Sequence, residues 1–243
     1  MRIISLVPSL TELLIDLGLQ DQLIGRTRFC IHPKEVVKSI AKIGGTKTVN
    51  IEKVKRLQPD LIIANKEENS LSDVKALEEF SKVYVTDIPN FEEALSAIIT
   101  IGRLTEREKE ATEMVSKIQS EFDHLAKSER TKNSACYLIW NNPLMTVGYD
   151  TFIHDMMRKC GFRNIFADMN RYPSISFEDI HNGRPDYILL SSEPFPFKEK
   201  HIAKFEKYCP DSKTILVDGE FFSWYGSRML GAGEYFRKLR LEV

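Results

Sequence analysis

The sequence has none of the spaced residue patterns that mark common metal and redox sites. Its four cysteines are scattered without a C-x-x-C pair, and its five histidines form neither H-x-x-x-H nor H-x-H. Cysteines scattered in this way are more often free thiols than members of a disulfide or metal set. We therefore expect four partly buried free thiols, histidines in surface or helix-packing positions, and no metal ion held by the protein's own side chains.

Signatures of nucleotide binding and of common hydrolases are missing as well. Gly44-Gly45 is a lone glycine pair, without a G-x-G-x-x-G or P-loop pattern, and Ser223 does not lie in a G-x-S-x-G turn. A formal net charge of −1 gives no broad basic field for nucleic acid. The sequence therefore predicts a binding protein rather than an enzyme, and one without a nucleic-acid partner.

Long hydrophobic runs are also absent. No apolar stretch approaches the roughly 20 residues that a membrane-spanning helix needs. The first seven residues, MRIISLV, are typical of a short strand, and no apolar core followed by a small-residue cleavage site is visible. We expect an extracytoplasmic protein (periplasmic or membrane-anchored) if a leader has been removed, and a cytoplasmic one if Met1 is the native start.

What the sequence does contain is one segment written twice. Residues 48–67 and 174–193 align without a gap at a constant offset of 126 residues. TVNIEKV in the first copy matches SISFEDI in the second, PDLII matches PDYIL, and the copies end in Glu67 and Glu193. This duplication predicts two similar α/β halves that clasp a ligand in the cleft between them.

Each half is predicted to alternate strand and helix. The apolar strands lack strict alternation, which suits parallel sheets covered on both faces. The predicted fold class is thus α/β, with two Rossmann-like lobes. The predicted strands are 2–7, 61–64, 82–86, 135–140, 187–190 and 215–217. The predicted helices begin at a capping box over 9–12, at Asn50, Asn90, Thr151 and Ser176, and they end near Gly18, Leu57, Ile101, Gly161 and Asn182.

A helix, and not a flexible linker, is predicted between the halves. Residues 105–108 (TERE) have the capping-box pattern, and apolar residues follow at helical spacing. A helix from Thr105 to Lys127 would be roughly 34 Å long at about 1.5 Å per residue. We therefore predict an N-terminal lobe over 1–101, a long rigid interlobe helix within 102–130, and a C-terminal lobe over 131–243.

Several of these segments resemble one protein family. The start IISLVPSLTELLIDLG, the strand PDLIIAN followed by EEN, and the long interlobe helix are similar to the substrate-binding proteins of ABC importers. The branch is the one with a helical backbone, which captures cobalamin, haem and iron–siderophore complexes. The resemblance covers nearly the whole chain and implies a monomeric binding protein that delivers its ligand to an ABC permease dimer. A cobalamin-type corrinoid is the first expectation, with an iron–siderophore or haem next, and the ligand would bring its own cobalt or iron.

The resemblance also implies which residues contact the ligand. The family's first-lobe cleft aromatic falls on Phe29, while Trp140 and Tyr172 lie at or beside second-lobe cleft aromatics. Two tryptophans of the cobalamin binders are replaced here, near Thr46 and at Asn65. Ligands of α/β proteins bind beyond the carboxyl ends of the strands, where these residues are predicted to lie. The full predicted set is Pro8, Arg28, Phe29, Asn65, Trp140, Tyr172, Glu220, Phe222, Trp224 and Tyr225. Of these, Phe29, Trp140, Tyr172 and Trp224 are expected to point between the lobes and to be incompletely buried, whereas lobe packing is the alternative for Phe221 and Phe222.

Charged residues add two further expectations. Four cations surround the predicted first-lobe face and suit an anionic chelate, with solvated surface charge as the alternative: Arg26, Arg28, Lys47 and Lys66. Glu67 and Glu193 follow equivalent strands, and the resemblance makes them contacts for arginines of a two-fold symmetric permease. Ordinary surface charge is the alternative for this pair as well.

Two other functions remain open from the residues alone. One is a cytosolic ligand-binding or sensor protein on the same scaffold, which the missing leader favours. The other is a small α/β enzyme that uses Glu220 together with Arg228.

Overall fold

The computed structural model describes residues 1–127 and 133–243, in which the chain forms two compact units. Residues 128–130 of the predicted helical segment and 131–132 of the predicted second lobe lie outside this description. Unit 1 comprises Met1–Ile88, Glu92–Ser116 and Tyr225–Arg228, and unit 2 comprises Pro89–Phe91, Lys117–Trp224 and Met229–Val243.

Unit 1 contains a five-stranded parallel sheet. Its strands are β1 (Ile3–Ser5), β2 (Leu23–Arg26), β3 (Ala41–Lys42), β6 (Leu61–Asn65) and β7 (Lys82–Thr86), in the order β3-β2-β1-β6-β7. An antiparallel hairpin pairs β4 (Gly44–Gly45) with β5 (Thr48–Val49). The helices are α1 (Pro8–Asp16), α2 (Lys34–Val37), α3 (Ile51–Leu57), α4 (Leu71–Glu78) and α5 (Phe91–Leu104), of which only Phe91 belongs to unit 2.

Unit 2 contains a four-stranded parallel sheet. Its strands are β8 (Ser134–Leu138), β11 (Arg163–Asn164), β13 (Tyr187–Ser191) and β14 (Lys213–Val217), in the order β11-β8-β13-β14. A small antiparallel sheet joins β9 (Trp140–Asn141), β10 (Leu144–Met145) and β12 (Ser174–Ile175). The helices are α7 (Phe152–Cys160), α8 (Phe177–Gly183), α9 (Glu199–Tyr208), α10 (Glu220–Ser223) and α11 (Met229–Glu242).

Parallel sheets in both units confirm the predicted fold class. Strands β6 (LIIAN) and β8 (SACYL) are buried at every residue, as the missing alternation in their sequences predicted. The helix α6 (Glu108–Lys127) is continuous over its 20 residues, and its chain passes from unit 1 to unit 2 between Ser116 and Lys117.

The duplicated segment forms the same structure twice. Helices α3 and α8 have seven residues each, strands β6 and β13 five each, and both pairs are separated by the offset seen in the sequence. Each helix ends at a residue in the left-handed conformation, Gln58 at φ 45° and Arg184 at φ 43°. The two copies are therefore equivalent helix–strand units, as predicted.

Two predicted capping boxes are wrong. In the first, over 9–12, Ser9 does not cap the helix, because α1 already begins at Pro8 with Val7 as its N-cap residue. A proline at the first helical position loses nothing, since its missing N–H would have no partner within the helix. In the second, α5 continues to Leu104 and the Thr105 hydroxyl donates to the carbonyl of Ile101, so Thr105 ends one helix instead of starting the next. Glu106 has a left-handed φ of 58°, and α6 begins at Glu108.

A third boundary also needs correction. Residues 135–140 were predicted as one strand, but β8 ends at Leu138 and Trp140 begins β9 in the antiparallel hairpin. The dipeptide Asn142-Pro143 is a turn signal that could have predicted this hairpin. As expected, all four cysteines are free, and all are buried. Within residues 1–127 and 133–243, no helix combines the length and apolar character needed to cross a membrane.

Candidate functional site

In unit 1, an aromatic ring and a cation lie together just past the end of β2. Phe29 is 48% exposed, and the guanidinium carbon of Arg28 lies 5.0 Å from its ring centroid. A side chain at Gly45 would bring its Cβ to 3.3 Å from Nη2 of Arg28, so the guanidinium group also packs closely on this glycine. Packing on both the ring and the glycine backbone therefore holds the cation on the aromatic face.

Buried polar contacts support this loop from beneath. The hydroxyl of Thr27 accepts a hydrogen bond from the Phe29 backbone N–H at 3.3 Å and lies 3.2 Å from the Cys30 thiol. Thr11 on α1 donates to the same thiol at 3.0 Å. Burial raises the pKa of the Cys30 thiol above its ordinary value. The loop is thus fixed from its buried side while Phe29 faces solvent.

The four predicted cations of this face have different roles. Arg26 is buried, and its guanidinium group donates to the carbonyls of Val37 and Thr27 at 2.8 and 3.1 Å, which corrects its assignment as a ligand-facing cation. Lys47 donates to the backbone carbonyl of Glu67, and Lys66 forms an exposed ion pair with Asp87. Arg28 is the member of the four that lies over an exposed ring.

The prediction of a ligand contact at Asn65 is also corrected. This residue is buried, and its amide nitrogen donates to the carbonyl and the hydroxyl of Thr86 at 3.1 and 3.0 Å. Its amide oxygen accepts from the backbone N–H groups of Glu67 and Glu68 at 2.9 and 3.2 Å. An asparagine side chain has two donors and two acceptor lone pairs, so Asn65 uses its full capacity to hold the turn after β6. Pro8, at the start of α1, and Glu67, in the turn, are half-buried.

In unit 2, the aromatic residues lie past the end of β8 and in the turn after β13. Trp140 is 40% exposed, and its indole N–H donates to the carbonyl of Asn142 at 3.2 Å. Phe195 stands edge-on to the indole at 5.8 Å and edge-on to Phe197 at 4.8 Å. Sequence reasoning missed Phe195, although the aromatic–proline run EPFPF directly after a strand was a usable signal. Tyr172 is half-buried beside Arg171.

The segment after β14 is more buried than predicted. Phe222 is completely buried and packs on Tyr137 and Phe236 at 5.1 and 4.8 Å, which places it in the core of unit 2 and not on a ligand face. Trp224 and Tyr225 are each only 7% exposed. Phe29, Trp140 and Tyr172 are incompletely buried as expected, whereas the expectation is wrong for Trp224.

The two glutamates of this region, Glu193 and Glu220, are half-buried and are therefore not simple surface charges. The Glu193 carboxyl group is half-buried and accepts a hydrogen bond from the Ser223 hydroxyl. Burial raises the pKa of Glu193, and the side chains of Ser223 and Trp224 partly oppose the rise. Glu220, also half-buried, begins α10, where its backbone N–H donates to Asp218 at 3.1 Å.

The predicted enzyme alternative paired Glu220 with Arg228. Arg228 forms a bidentate ion pair with Glu12 on α1, with N–O distances of 3.0 and 2.7 Å. Burial raises the pKa of Glu12 and the Arg228 charge opposes the rise. Among the residues that the structure describes, no three His, Cys, Asp or Glu side chains come together as a metal-binding group.

Comparison with known proteins places this arrangement in a family. Residues 3–211 match the model of the periplasmic binding protein family. An uncharacterised ABC transporter substrate-binding lipoprotein, YvrC of Bacillus subtilis (strain 168), is 32% identical over 78% of this chain, which spans 63% of that protein's length. A vitamin B12-binding protein of Pectobacterium carotovorum subsp. carotovorum (strain PC1) is 25% identical over 96% of this chain and 86% of its own.

A solved structure agrees with these sequence matches. A possible iron-binding (periplasmic solute-binding) protein of Staphylococcus epidermidis ATCC 12228 is 27% identical and superposes with a TM-score of 0.82 over 99% of this chain and 97% of its own. The relatives are named as binding proteins, one of them as the substrate-binding lipoprotein of an ABC transporter, which confirms the prediction of a non-enzymatic protein. With the match covering residues 3–211, this chain belongs to the periplasmic binding protein family.

Proposed function

We propose that the protein is the substrate-binding component of an ABC importer and captures a metal-containing macrocycle or chelate. The observation that carries this proposal is an exposed aromatic ring past a strand's carboxyl end in each unit, Phe29 after β2 and Trp140 after β8. This edge of a parallel sheet is where α/β proteins bind ligands. The similarity to a vitamin B12-binding protein over 96% of the chain supports a large, partly apolar ligand.

A cobalamin-type corrinoid is the first ligand class. Its broad ring system offers faces on which Phe29 and Trp140 can stack, and each such contact contributes about 0.5–1.5 kcal/mol beyond the area it buries. The ligand would carry its own cobalt or iron. The protein's part is then to supply aromatic surface and polar contacts around it.

An anionic iron chelate, an iron–siderophore or haem, is the second class, and Arg28 is the observation that favours it. Its guanidinium group is fixed over the Phe29 ring, where it can donate to a carboxylate or a deprotonated oxygen of a ligand stacked beside it. Replacing Arg28 with Gln should weaken binding of an anionic chelate and leave binding of a neutral corrinoid nearly unchanged. Lys66→Gln is the matched control, because Lys66 already pairs with Asp87.

Isothermal titration with cyanocobalamin, cobinamide, haemin and ferric siderophores tests the ligand class directly. For the probe that binds, Trp140→Ala should weaken affinity several-fold without changing the melting temperature. Tyr208→Ala is the control, since Tyr208 is an exposed aromatic residue (48%, against 40% for Trp140) that precedes β14 and so lies toward the opposite edge of the sheet. If no probe binds, or if the two variants lose affinity equally, the proposal fails.

Delivery to a permease dimer is the second half of the proposal, with Glu67 and Glu193 as contacts for permease arginines. We further propose a monomer outside the cytoplasm, which the lipoprotein relative supports. Charge reversal at Glu67 should lower ligand uptake in cells while affinity in solution holds. Unchanged uptake would remove docking from the proposal.

A cytosolic sensor on the same scaffold is the remaining alternative, and a gene neighbourhood without permease and ATPase genes would favour it.

A further inference from the structure

An arginine and a tyrosine in unit 2 repeat an arrangement that is present in unit 1. The guanidinium carbon of Arg171 lies 5.7 Å from the ring centroid of Tyr172, and that of Arg28 lies 5.0 Å from the ring centroid of Phe29. Arg171 is exposed and Tyr172 is half-buried. Each unit therefore places a cation against the aromatic ring of the next residue in the chain.

The two guanidinium groups also belong to one position of the repeat. At the offset of 126 residues, strand β5 corresponds to β12, and Gly45 corresponds to Arg171. In unit 1 the guanidinium group of Arg28 packs on Gly45, where a Cβ would lie 3.3 Å from its Nη2 atom. In unit 2 the corresponding residue is itself an arginine. A guanidinium group thus accompanies this repeat position in both units, although different parts of the sequence supply it.

Arg171 lies beyond the carboxyl end of β8. That strand ends at Leu138, and the chain continues into the small antiparallel sheet of β9, β10 and β12. Arg171 comes just before β12, and its carbonyl accepts the backbone N–H of Gly148, in the segment after β10, at 2.7 Å. The carboxyl ends of parallel strands form the edge at which α/β proteins bind ligands.

The backbone of Arg171 has a conformation that arginine does not favour. Its φ is 57°, in the left-handed region. Within residues 1–127 and 133–243, the other non-glycine residues with such a φ lie at or beside the ends of helices: Gln58, Glu106 and Arg184. Residues held in this region away from helix ends concentrate at segments that bind ligands, where the surrounding structure enforces the conformation.

Neighbouring residues enforce it here. The backbone N–H of Arg171 donates to the Asp150 carboxylate at 2.5 Å, and the guanidinium group lies 3.9 Å from the other oxygen of that carboxylate. Gly148 approaches so closely that a Cβ there would lie 2.2 Å from the carbonyl oxygen of Met169. An exposed ion pair as long as this one contributes little to stability. The contact with Asp150 therefore does not account for an arginine in a strained conformation.

We infer that Arg171 binds an acidic group of the ligand, as Arg28 does in unit 1, and that the ligand carries at least two acidic groups. This inference rests on the proposed function and selects the anionic chelates within it. A guanidinium group can donate two parallel N–H groups to a carboxylate while the adjacent ring contacts the apolar part of the ligand.

Isothermal titration with probes of different charge tests the inference. Haemin and ferric enterobactin are the anionic probes, and cyanocobalamin and ferrichrome are the probes without net charge. The parent protein should bind an anionic probe, and Arg171→Gln should weaken that binding several-fold. The double variant with Arg28→Gln should lose about the product of the two single losses, because the two arginines contact separate acidic groups.

Arg184→Gln is the matched control. Arg184 is also an exposed arginine of unit 2 with a left-handed φ, 43°. It precedes β13, however, and so lies toward the opposite edge of the sheet. The control variant should keep the affinity of the parent.

A stability measurement separates ligand binding from a purely structural role of Arg171. Glycine adopts a φ of 57° without strain. Arg171→Gly should therefore melt no lower than the parent without ligand, while it loses as much affinity for the anionic probe as Arg171→Gln. Arg171→Lys keeps the charge but not the paired N–H groups, and its affinity should fall between those of the parent and Arg171→Gln.

The possible results distinguish this inference from the proposed function. Equal affinity of the parent and Arg171→Gln for an anionic probe overturns the inference alone, as does a parent that binds only cyanocobalamin or ferrichrome. A double variant no weaker than the weaker single variant overturns the second acidic group. An equal loss in Arg184→Gln, or an Arg171→Gly variant that melts below the parent, overturns the role of Arg171 in binding. A parent that binds none of the four probes overturns both the inference and the proposed function.

Discussion

The two copies of the repeated segment share a backbone but differ in the residues just past their strands. In both, a seven-residue helix ends at a left-handed residue, a Pro-Asp pair turns the chain, and a five-residue strand pairs on both sides within a parallel sheet. In the turn after β6, the side-chain oxygen of Asn65 accepts the backbone N–H groups of Glu67 and Glu68. In the turn after β13, the Ser191 hydroxyl accepts the backbone N–H of Glu193. The two glutamates at the ends of the copies then diverge, since Glu193 is held by α10. Duplication has preserved the elements that the fold needs and has left the residues past the strands free to specialise.

The largest effect that tests this equivalence is expected at buried residues of the two equivalent strands, β6 and β13. Ile62 in β6 and Ile188 in β13 occupy the same place in the repeat, and both are completely buried. Replacing either with alanine should lower the free energy of unfolding by about 2–5 kcal/mol, because the lost methyl groups leave a cavity. Urea denaturation of the two variants measures this. Val85→Ala, at an exposed position on β7, is the control and should cost much less. A large loss in one copy and none in the other would break the equivalence.

The aspartates of the Pro-Asp pairs give the next largest effect. Asp60 accepts the backbone N–H of Arg2 at 2.6 Å, whereas Asp186 accepts both the N–H and the hydroxyl of Ser134, each at 2.7 Å. Each hydrogen bond to a charged group contributes about 1.5–3 kcal/mol when well formed, and less at exposed positions such as these. Asp186→Asn should therefore destabilise the protein more than Asp60→Asn in urea denaturation. Equal losses would show that the second hydrogen bond adds nothing.

The ionisation of Asp186 also predicts how the stability of the protein depends on pH. Hydrogen bonds from the Ser134 side chain, and then from its backbone, lower the pKa of Asp186 below its ordinary value. The folded-state pKa is thus below the unfolded one, so the stabilisation is complete above the unfolded value of about 3.9. It is lost as pH falls through the folded pKa. The difference in unfolding free energy between the parent and Asp186→Asn should therefore shrink in acid. A difference that grows in acid would contradict the assignment.

Elements set by local sequence signals were the most predictable part of this chain. Asn50, Thr151 and Ser176 each cap the helix that was predicted to follow them, and Gly161 ends α7 in the left-handed conformation. Such signals act within one turn of helix, so a single sequence carries them. The S/T-x-x-E pattern at Thr105 failed because nothing before it breaks α5, and a capping pattern does not say whether its first residue is already helical.

Burial at the candidate site was less predictable. Phe222 and Phe29 are both aromatic residues in segments that come after strands, yet one is fully buried and the other is 48% exposed. The difference comes from distant residues, since Tyr137 and Phe236 enclose Phe222. Asn65 likewise turns inward because Thr86, on the neighbouring strand, offers it two acceptors. Sequence position alone does not contain those neighbours.

The helix caps of the two copies should differ by a smaller amount. Asn50 accepts one backbone hydrogen bond, from Lys53 at 2.9 Å. Ser176 forms a full capping box, in which Asp179 also accepts the Ser176 backbone N–H at 2.7 Å. Replacing a capping residue with alanine costs about 1 kcal/mol. We expect Ser176→Ala to cost more than Asn50→Ala, because Asp179 also loses the contact with the Ser176 hydroxyl. Thermal and urea denaturation measure both, and the reverse order would show that the box adds no stability.

The smallest predicted effect concerns the left-handed residues that end α3 and α8. Gln58 and Arg184 are exposed and lack the conformational freedom of glycine, so each holds a backbone conformation that costs an ordinary residue about 1 kcal/mol. Glycine adopts it without strain but loses more entropy on folding, so Gln58→Gly and Arg184→Gly should each stabilise the protein by less than about 1 kcal/mol. Lys55→Gly, inside α3, is the control and should destabilise by about 1 kcal/mol. Because φ differs by only two degrees between the copies, 45° against 43°, the two gains should be equal within error. A gain in one copy and a loss in the other would mean that the side chain of the losing residue makes a stabilising contact, and that the repeat is equivalent in backbone only.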